Sequence, residues 1–383
     1  VIKPAMIGLA GPWISGGIEF NWPQHHRPTT FMPVCYAFEE NADGSKTVWV
    51  GEVEPFNRTE GIAGITVCPG KSYIKVKVRL HNRTPYPQTF MWWANLAVSV
   101  NEQYKIVFPP DVEYVCDHDR RAVISFPIMK GKFYTARQFD YGEGTDGSWF
   151  PNIVVPTSLM VMNGQSEFNF ISGYDFKKDA GIVHVANHHI SPGKKLFTWG
   201  DGDFGKAWAN NLTDKDGPYV ELMTGVYTDN QPDFSWIQPY ETKVFEQYWY
   251  PIRKIGVVKN ATIDAAVSFE VENGNASIGF NTTGVFKQST VILKYHEKVL
   301  YEQKIDISPK DPFTAKVKLP SEEIDEQGLE VLLVSNDEKI LVSYKPVKRG
   351  EKKPPETRLP ALPPKEIETT EELYINGLHL EQY

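Results

Sequence analysis

Strict alternation of apolar and polar residues over short runs is the feature that most constrains how this chain folds. The clearest run is residues 74–80, IKVKVRL, in which every second residue is apolar and the residues between them are basic. Residues 46–54 and 242–252 repeat the pattern, and no long stretch keeps the 3.6-residue apolar period of a helix. Because the side chains of a strand point alternately to its two faces, the pattern predicts an all-β protein of antiparallel sheets.

The strand patterns change character along the chain and divide it into three parts. Residues 1–255 are rich in aromatic residues and in Gly, Pro, Asn and Asp turns, which predicts a large antiparallel β-sandwich. Residues 256–345 hold simpler strand patterns at the spacing of a small immunoglobulin-like β-sandwich. Residues 346–383 form a linker rich in Pro, Lys and Glu, followed by the start of a helix that Thr369 or Thr370 caps.

Charge and composition exclude several classes of partner. The net charge of −8 argues against nucleic acid, because phosphate binding needs a basic face. No apolar run is long enough to span a membrane. Three widely spaced cysteines, Cys35, Cys68 and Cys116, favour buried free thiols in a reducing compartment over disulfides or a zinc site.

We therefore expect no metal and no cofactor, and a cytoplasmic location. The chain opens at Val1 without a methionine. Its true start, and with it any signal sequence, is expected to lie upstream.

The densest polar cluster is residues 11–31, GPWISGGIEFNWPQHHRPTTF, in which tryptophan stands beside amides, imidazoles and a carboxylate. Sugar pockets need fixed donors and acceptors for the hydroxyl groups and an aromatic surface for the ring face. A turn that satisfies its own hydrogen bonds is the alternative. The candidates are Glu19 as a catalytic carboxylate and, for substrate binding, Asn21, Trp22, Gln24, His25, His26 and Arg27.

A second polar cluster covers residues 184–208. Neighbouring residues in a strand point to opposite faces, so we expect only one of His188 and His189 to reach a pocket. An imidazole and two carboxylates can serve as acid and base. Asp201 and Asp203 lack the further oxygen ligands of a calcium loop, and an ordinary turn is the alternative. His188, His189 and Asp203 are candidate catalytic residues; Trp199 and Asp201 are candidate substrate-binding residues.

Glu221 stands inside a third cluster, residues 219–252, between Val220 and Leu222 of a predicted strand. A carboxylate that alternates with core residues is costly unless it is paired or functional. Glu221 is therefore the leading catalytic candidate, and a solvent-facing strand position is the alternative.

The order of a strand with a central Glu, a Pro-Asp loop, a Gln-Pro-x-Glu turn and a final aromatic strand resembles the end of aldose-1-epimerases. The resemblance implies that Glu221 is the base acting on the anomeric hydroxyl. "SGGIEFNWP" similarly resembles the Gly-Gly-Ile segment of hexose-phosphate epimerases. Where epimerases carry an acid histidine, this chain has Met91 and Trp92, and Trp92 joins the candidate substrate-binding residues.

Residues 1–252 resemble an uncharacterised bacterial domain family more closely. The segments "GPWISGGIEFNWPQHHRP", "NHHISPGKK", "TWGDGDFG" and "YVELMTGVYTDNQPDFSW" carry this resemblance. It implies a galactose-mutarotase-like supersandwich that often continues into tetratricopeptide repeats, and hence protein partners bound through repeats beyond the C-terminus.

Three functions remain open for a chain of this kind, each with a carbohydrate ligand. In a glycoside hydrolase, Glu221 pairs with Glu19 or Asp203. In a sugar epimerase, Glu221 is the base and His188, His189 or His26 supplies the acid. The third function is a non-catalytic carbohydrate-binding or scaffold module. The catalytic hypotheses require the three clusters to meet in a single Trp-lined pocket.

Overall fold

The computed structural model describes residues 4–7, 11–23, 32–117, 122–133, 139–162, 164–226, 234–356 and 362–381. Its first part is built from strands β1 (Pro4–Ile7), β2 (Gly11–Ile14), β3 (Ile18–Asn21), β4 (Cys35–Glu40), β5 (Lys46–Val53), β6 (Thr59–Val67), β7 (Ile74–Asn82), β8 (Gln88–Phe90), β9 (Trp93–Ser99), β10 (Tyr104–Val107), β11 (Tyr114–Asp117), β12 (Val123–Ser125), β13 (Ile128–Met129), β14 (Lys132–Phe133), β15 (Phe139–Asp140), β16 (Thr145–Asp146), β17 (Thr157–Val161), β18 (Phe170–Asp175), β19 (Ala180–Ala186), β20 (Gly193–Thr198), β21 (Tyr219–Gly225), β22 (Ser235–Ile237) and β23 (Thr242–Arg253), with helix α1 (Asp203–Thr213) before β21.

Two large antiparallel sheets form this first part. One has eight strands in the order β10-β18-β19-β23-β7-β6-β5-β4, and the other has seven in the order β12-β11-β17-β20-β21-β9-β3. Val76, Val78 and Leu80 of β7 are fully buried, whereas the basic residues between them lie on the other face of the strand. The predicted all-β antiparallel fold is confirmed, and the period-two pattern identified its core face.

A second pair of sheets follows. Strands β24 (Asn260–Ala261), β25 (Ala265–Glu272), β26 (Asn275–Thr282) and β29 (Phe313–Lys318) form one sheet, and β28 (Lys298–Ile307), β27 (Phe286–Tyr295), β30 (Leu329–Val334) and β31 (Ile340–Tyr344) form the other. Their inner faces enclose a separate apolar core that includes Phe269, Phe280 and Leu333. Two four-stranded antiparallel sheets around one core are the arrangement that the simpler strand patterns predicted.

Helix α2 (Thr370–Leu380) ends the described chain, and Thr369 caps it by accepting a hydrogen bond from the backbone amide of Glu372 at 3.2 Å. Neither helix in the described ranges is long and apolar enough to cross a membrane. The expectation of buried thiols is wrong for Cys35, which is exposed on the edge strand β4; Cys68 is half-buried and Cys116 is buried, and all three are free.

Candidate functional site

One row of side chains crosses four neighbouring strands of the seven-stranded sheet. Glu19 of β3 lies opposite Asn95 of β9, Asn95 lies opposite Met223 of β21, and Met223 lies opposite Lys195 of β20. Glu221 precedes Met223 by two residues, so it shares the same face. The opposite face of β21 carries Val220 and Leu222 into the core between the sheets. The strand order therefore places two carboxylates and one ammonium group on the outer face of a single sheet.

These charged groups are withdrawn from solvent. Glu221 is 2% exposed, and Glu19 and Lys195 are each 7% exposed. Burial, reinforced by the charge of Glu19, raises the pKa of Glu221 well above its ordinary value, while the Lys195 ammonium and a hydrogen bond from Asn95 oppose the rise. Burial also lowers the pKa of Lys195 to about 8, an effect that the Glu221 carboxylate opposes.

Each group is oriented by contacts of its own. The Asn21 side-chain amide donates to Oε2 of Glu19 at 3.3 Å. The Lys195 Nζ lies 4.4 Å from the centre of the Trp93 ring, a cation–π geometry. Gly225 permits this position of Trp93, because a Cβ on Gly225 would stand 2.4 Å from the indole ring. Asn21 thus orients Glu19, and the fixed Trp93 ring positions Lys195.

Two apolar clusters flank the charged row along the sheet. Met91, Trp93 and Met223 form one, with Phe197 and Phe234 packed against it. The other joins the β1–β2 hairpin and helix α1 to the sheet, and its members include Trp13, Leu212, Tyr219 and Trp199. The Tyr219 hydroxyl accepts from Nε1 of Trp13 at 2.9 Å and from Nε1 of Trp199 at 3.3 Å. Low polarity on both sides is what makes the buried carboxylates sensitive to each other's charge.

The structure separates His188 and His189 from this site. Strand β19 ends at Ala186, so the two histidines lie in the following turn and stack on each other, with ring centres 3.9 Å apart. The His188 ring contacts Oδ1 of Asn169 at 2.8 Å and the Glu167 carboxylate at 3.4 Å. The charge of Lys194, whose side chain leaves the face of β20 opposite to Lys195, acts on His188. The expectations that the histidines alternate in a strand and share the Glu221 pocket are therefore wrong.

Asp201 and Asp203 also lie apart from the carboxylate pair. Asp203 is exposed and begins helix α1, where its charge suits the positive helix end. Asp201 is half-buried in the preceding turn, 3.7 Å from Nζ of Lys206. The charges that act on Glu221 are those of Glu19 and Lys195. Of the two predicted partners for Glu221, the structure brings together Glu19 and not Asp203.

Trp22 and Trp92 pack inside the sandwich and not on the charged face. Trp92 stacks on Phe20 with ring centres 5.2 Å apart and donates through Nε1 to Oε1 of Gln247 at 3.2 Å. Trp22 is 3% exposed and packs on Gly61. Both line a groove of about 240 Å³ between the sheets, which reaches Glu19. Trp93, and neither of these two, lies on the face of Glu221, while Trp199 stands in the aromatic cluster beside Tyr219.

Four candidates, Gln24, His25, His26 and Arg27, lie outside the described residues. Sequence reasoning missed Lys195, Trp93 and Asn95. The sequence signal for Lys195 was weak, because in the strand GKKLFT it stands between Lys194 and Leu196 and not between two apolar residues. Within the described ranges, no group of His, Cys, Asp and Glu side chains is placed to hold a metal ion.

The fold and site define the chain as an antiparallel β-sandwich protein that carries a buried acid–lysine cluster on the outer face of one sheet. It belongs to the family described as "Domain of unknown function (DUF5107)", whose model matches residues 1–252. Residues 260–344 match the model described as "YphG-like protein, second domain".

Solved structures of bacterial proteins are similar to this chain. A TPR-domain-containing protein from Parabacteroides distasonis matches with a TM-score of 0.51 and 23% identity, over 61% of this chain and 37% of that one. A galactose mutarotase-like protein from Clostridium acetobutylicum matches with a TM-score of 0.39 and 12% identity, over 60% and 69% of the two chains. A galactose mutarotase related enzyme from Lactobacillus acidophilus has a TM-score of 0.41 and 8% identity, over 63% and 85%.

The match covers little more than a third of the Parabacteroides protein. At this identity the likeness concerns the fold, and the function has to be argued from the site.

Proposed function

We propose that this chain is a carbohydrate-active enzyme that cleaves a glycosidic bond, with Glu221 as proton donor and Glu19 as the second carboxylate. The observation that carries the proposal is the placement of two buried carboxylates, from strands separated by β9, on one face beside an aromatic ring. Glycosidases use such a pair, in which one carboxyl group is kept protonated and the other ionised.

The environments of the two groups suit different roles. Burial and the neighbouring Glu19 charge favour the protonated form of Glu221, which can then donate to the leaving oxygen. Glu19 accepts from the Asn21 amide at 3.3 Å, which orients its carboxyl group for the role of nucleophile or base in this proposal. Lys195 balances the negative charge of the pair, and Trp93 offers an indole face for a sugar ring.

The test is sugar release from a panel of aryl glycosides and oligosaccharides. Glu221→Gln and Glu19→Gln should each lower kcat/KM by at least about 100-fold, the range for a lost acid or base. Asp203→Asn is the matched control, and it should retain activity because Asp203 is exposed on α1. An active Glu221→Gln enzyme would refute the assignment.

Lys195 supports a second candidate, a sugar epimerase that opens the ring of a free sugar. Here Glu221, once ionised, takes the proton of the anomeric hydroxyl, and the Lys195 ammonium donates to the ring oxygen in place of the missing histidine. Polarimetry on freshly dissolved hexoses separates the two functions: Lys195→Met should abolish any acceleration. Binding without turnover in either assay would favour a non-catalytic carbohydrate-binding module.

A further inference from the structure

A depression of about 580 Å³ lies between the β5–β6 turn and the β7–β8 loop, and neither carboxylate of the acid pair lines it. The β5–β6 turn supplies Phe56 and Arg58, and the β7–β8 loop supplies Arg83 and Tyr86. Its volume is within the range of small-ligand sites. The other lining residues are Val53, Asn57, Thr84, Pro85 and Gln88.

Buried side chains hold both turns in place. The carboxylate of Glu54, 7% exposed, accepts from the backbone amides of Phe56 at 2.9 Å and Asn57 at 2.6 Å. On the other side, the fully buried Asn82 amide donates to the carbonyls of Tyr86 at 2.7 Å and Ile237 at 3.1 Å. A surface fixed in this way loses little conformational entropy when it binds a ligand.

The depression is cationic on a chain whose net charge is −8. Arg58 and Arg83 are exposed, and in the described part of the chain neither guanidinium forms an ion pair or donates a side-chain hydrogen bond. Arg58 also has a φ of 58°, in the left-handed region that side-chain-bearing residues rarely adopt. The Glu54 carboxylate of the β5–β6 turn is directed to backbone amides. Two free guanidinium groups favour a ligand with carboxylates, which they can bind in bidentate fashion.

Aromatic rings complete the surface. Phe56 is 86% exposed and Tyr86 is 69% exposed, so both rings face solvent from hydrogen-bonded turns. Flat aromatic faces stack on the apolar face of a sugar ring. A ligand that offers a carboxylate to the arginines and a sugar ring to the aromatic side chains is a uronic acid.

We propose that this depression, the arginine–aromatic site (Phe56, Arg58, Arg83 and Tyr86), is an accessory binding site for carboxylated oligosaccharides. The choice of a saccharide over an acidic peptide rests on the proposed carbohydrate function. The site lies on turns of the eight-stranded sheet, so its occupation does not require the carboxylate pair of the seven-stranded sheet.

Calorimetric titration of the full chain with tri-galacturonate and a hyaluronan tetrasaccharide tests the proposal, with maltotriose as the neutral control and hexaglutamate as the peptide control. At least one uronate should bind, and Arg58→Gln and Arg83→Gln should each weaken its Kd by at least 10-fold. Phe56→Ala should weaken binding as well. Arg79→Gln, on an exposed position of β7 outside the depression, is the matched control and should leave Kd unchanged.

The exposed positions of the variants allow folding to be checked by an unchanged Tm. Failure of both uronates to bind, equal binding of maltotriose, stronger binding of hexaglutamate, or indifference to both arginine variants would overturn the proposal. Glu221→Gln separates this site from the proposed catalytic function. This variant should lose sugar release and keep uronate binding. If the wild type binds uronate but releases no sugar from any substrate, only the catalytic function is refuted.

Discussion

Lys194 and Lys195 are consecutive in β20, yet their ammonium groups lie on opposite faces of the seven-stranded sheet. Lys195 faces Trp93 and the acid pair, whereas Lys194 enters the region between the sheets, where its charge acts on His184. Lys194 is 1% exposed, and burial lowers its pKa to about 8, against the opposing charges of Asp111 and Glu167. Two buried lysines with the same direction of pKa shift therefore differ in the carboxylates that oppose it, which are Asp111 and Glu167 for Lys194 and Glu221 for Lys195.

Lys194→Met should stabilise the protein by about 1–3 kcal/mol at pH 7, because it removes a buried charge and keeps the volume of the side chain. A lysine whose pKa is lowered by folding destabilises the folded state. The full destabilisation is present at pH values below the folded-state pKa. The penalty disappears as the pH rises from about 8 towards the ordinary lysine value of 10.5. The advantage of the variant should therefore shrink over this interval, as measured by urea unfolding at pH 7 and pH 10.

Lys195→Met is the matched comparison, and its gain in stability should be smaller. It removes a buried ammonium group whose pKa burial also lowers to about 8, but it leaves Glu221 without the cation that offsets its charge. At pH 7 we therefore expect a gain below that of Lys194→Met. Equal effects of the two lysine variants would contradict the placement of the ammonium groups on different faces.

Gly225→Ala tests the packing that positions Trp93. The new Cβ would meet the Trp93 ring at 2.4 Å, so the indole must move away from Lys195. Overpacking of this kind costs about 1–3 kcal/mol. Thermal unfolding measures the loss, and any turnover found for the wild type should fall with it. Gly377→Ala in α2, whose Cβ meets open space, should show no loss.

Strand periodicity was sufficient to predict the fold class and to single out Glu221, because both are local properties of the sequence. The same reasoning could not choose between Lys194 and Lys195, which are adjacent in GKKLFT and therefore lie on opposite faces of β20. The local sequence could not show whether Trp92 or Trp93 lies on the face of the acid pair. The answer depends on which face of β9 the second sheet covers.

The sequence offered Glu19 and Asp203 as partners of Glu221, but it could not decide between them. Glu19 approaches Glu221 only because β9 pairs with β21 on one side and with β3 on the other. This strand order depends on pairings between segments that are distant in sequence. His188 and His189 were misplaced because the end of β19 at Ala186 depends on the turn that follows, in which the Asn187 side chain accepts from the backbone amide of His189 at 3.0 Å.

Glu221→Gln should change stability in a pH-dependent manner, apart from its effect on activity. A carboxyl group whose pKa is raised by folding contributes stability below its unfolded pKa, and this contribution is lost as the pH rises through the folded pKa. The glutamine variant does not titrate in this range, so its free energy of unfolding should increase relative to that of the wild type as the pH rises. Urea unfolding at pH 4.5 and pH 8 measures the difference, which should favour the variant by about 1–3 kcal/mol at pH 8. A pH-independent difference would place Glu221 in a solvated position.

Arg349 fastens the segment after the second pair of sheets to the first part of the chain. Its guanidinium donates to the carbonyls of Pro110 at 2.7 Å, Val112 at 2.9 Å and Phe126 at 2.8 Å. The predicted extended linker is thus anchored at its beginning. Arg349→Ala should release residues 346–356 and hasten their cleavage by proteinase K, with a stability change below about 1 kcal/mol because the side chain is exposed.

Arg349→Lys should rescue the segment only in part, since one ammonium group cannot reproduce the planar fork of a guanidinium that contacts three carbonyls. Lys353→Ala, at an exposed position of the same segment, is the control and should be cleaved at the wild-type rate. Cleavage of Arg349→Ala at the wild-type rate would show that the remaining contacts, from the Gly350 amide to Glu113 at 3.0 Å and from Lys352 to the Gln165 carbonyl at 2.6 Å, hold the segment without the arginine.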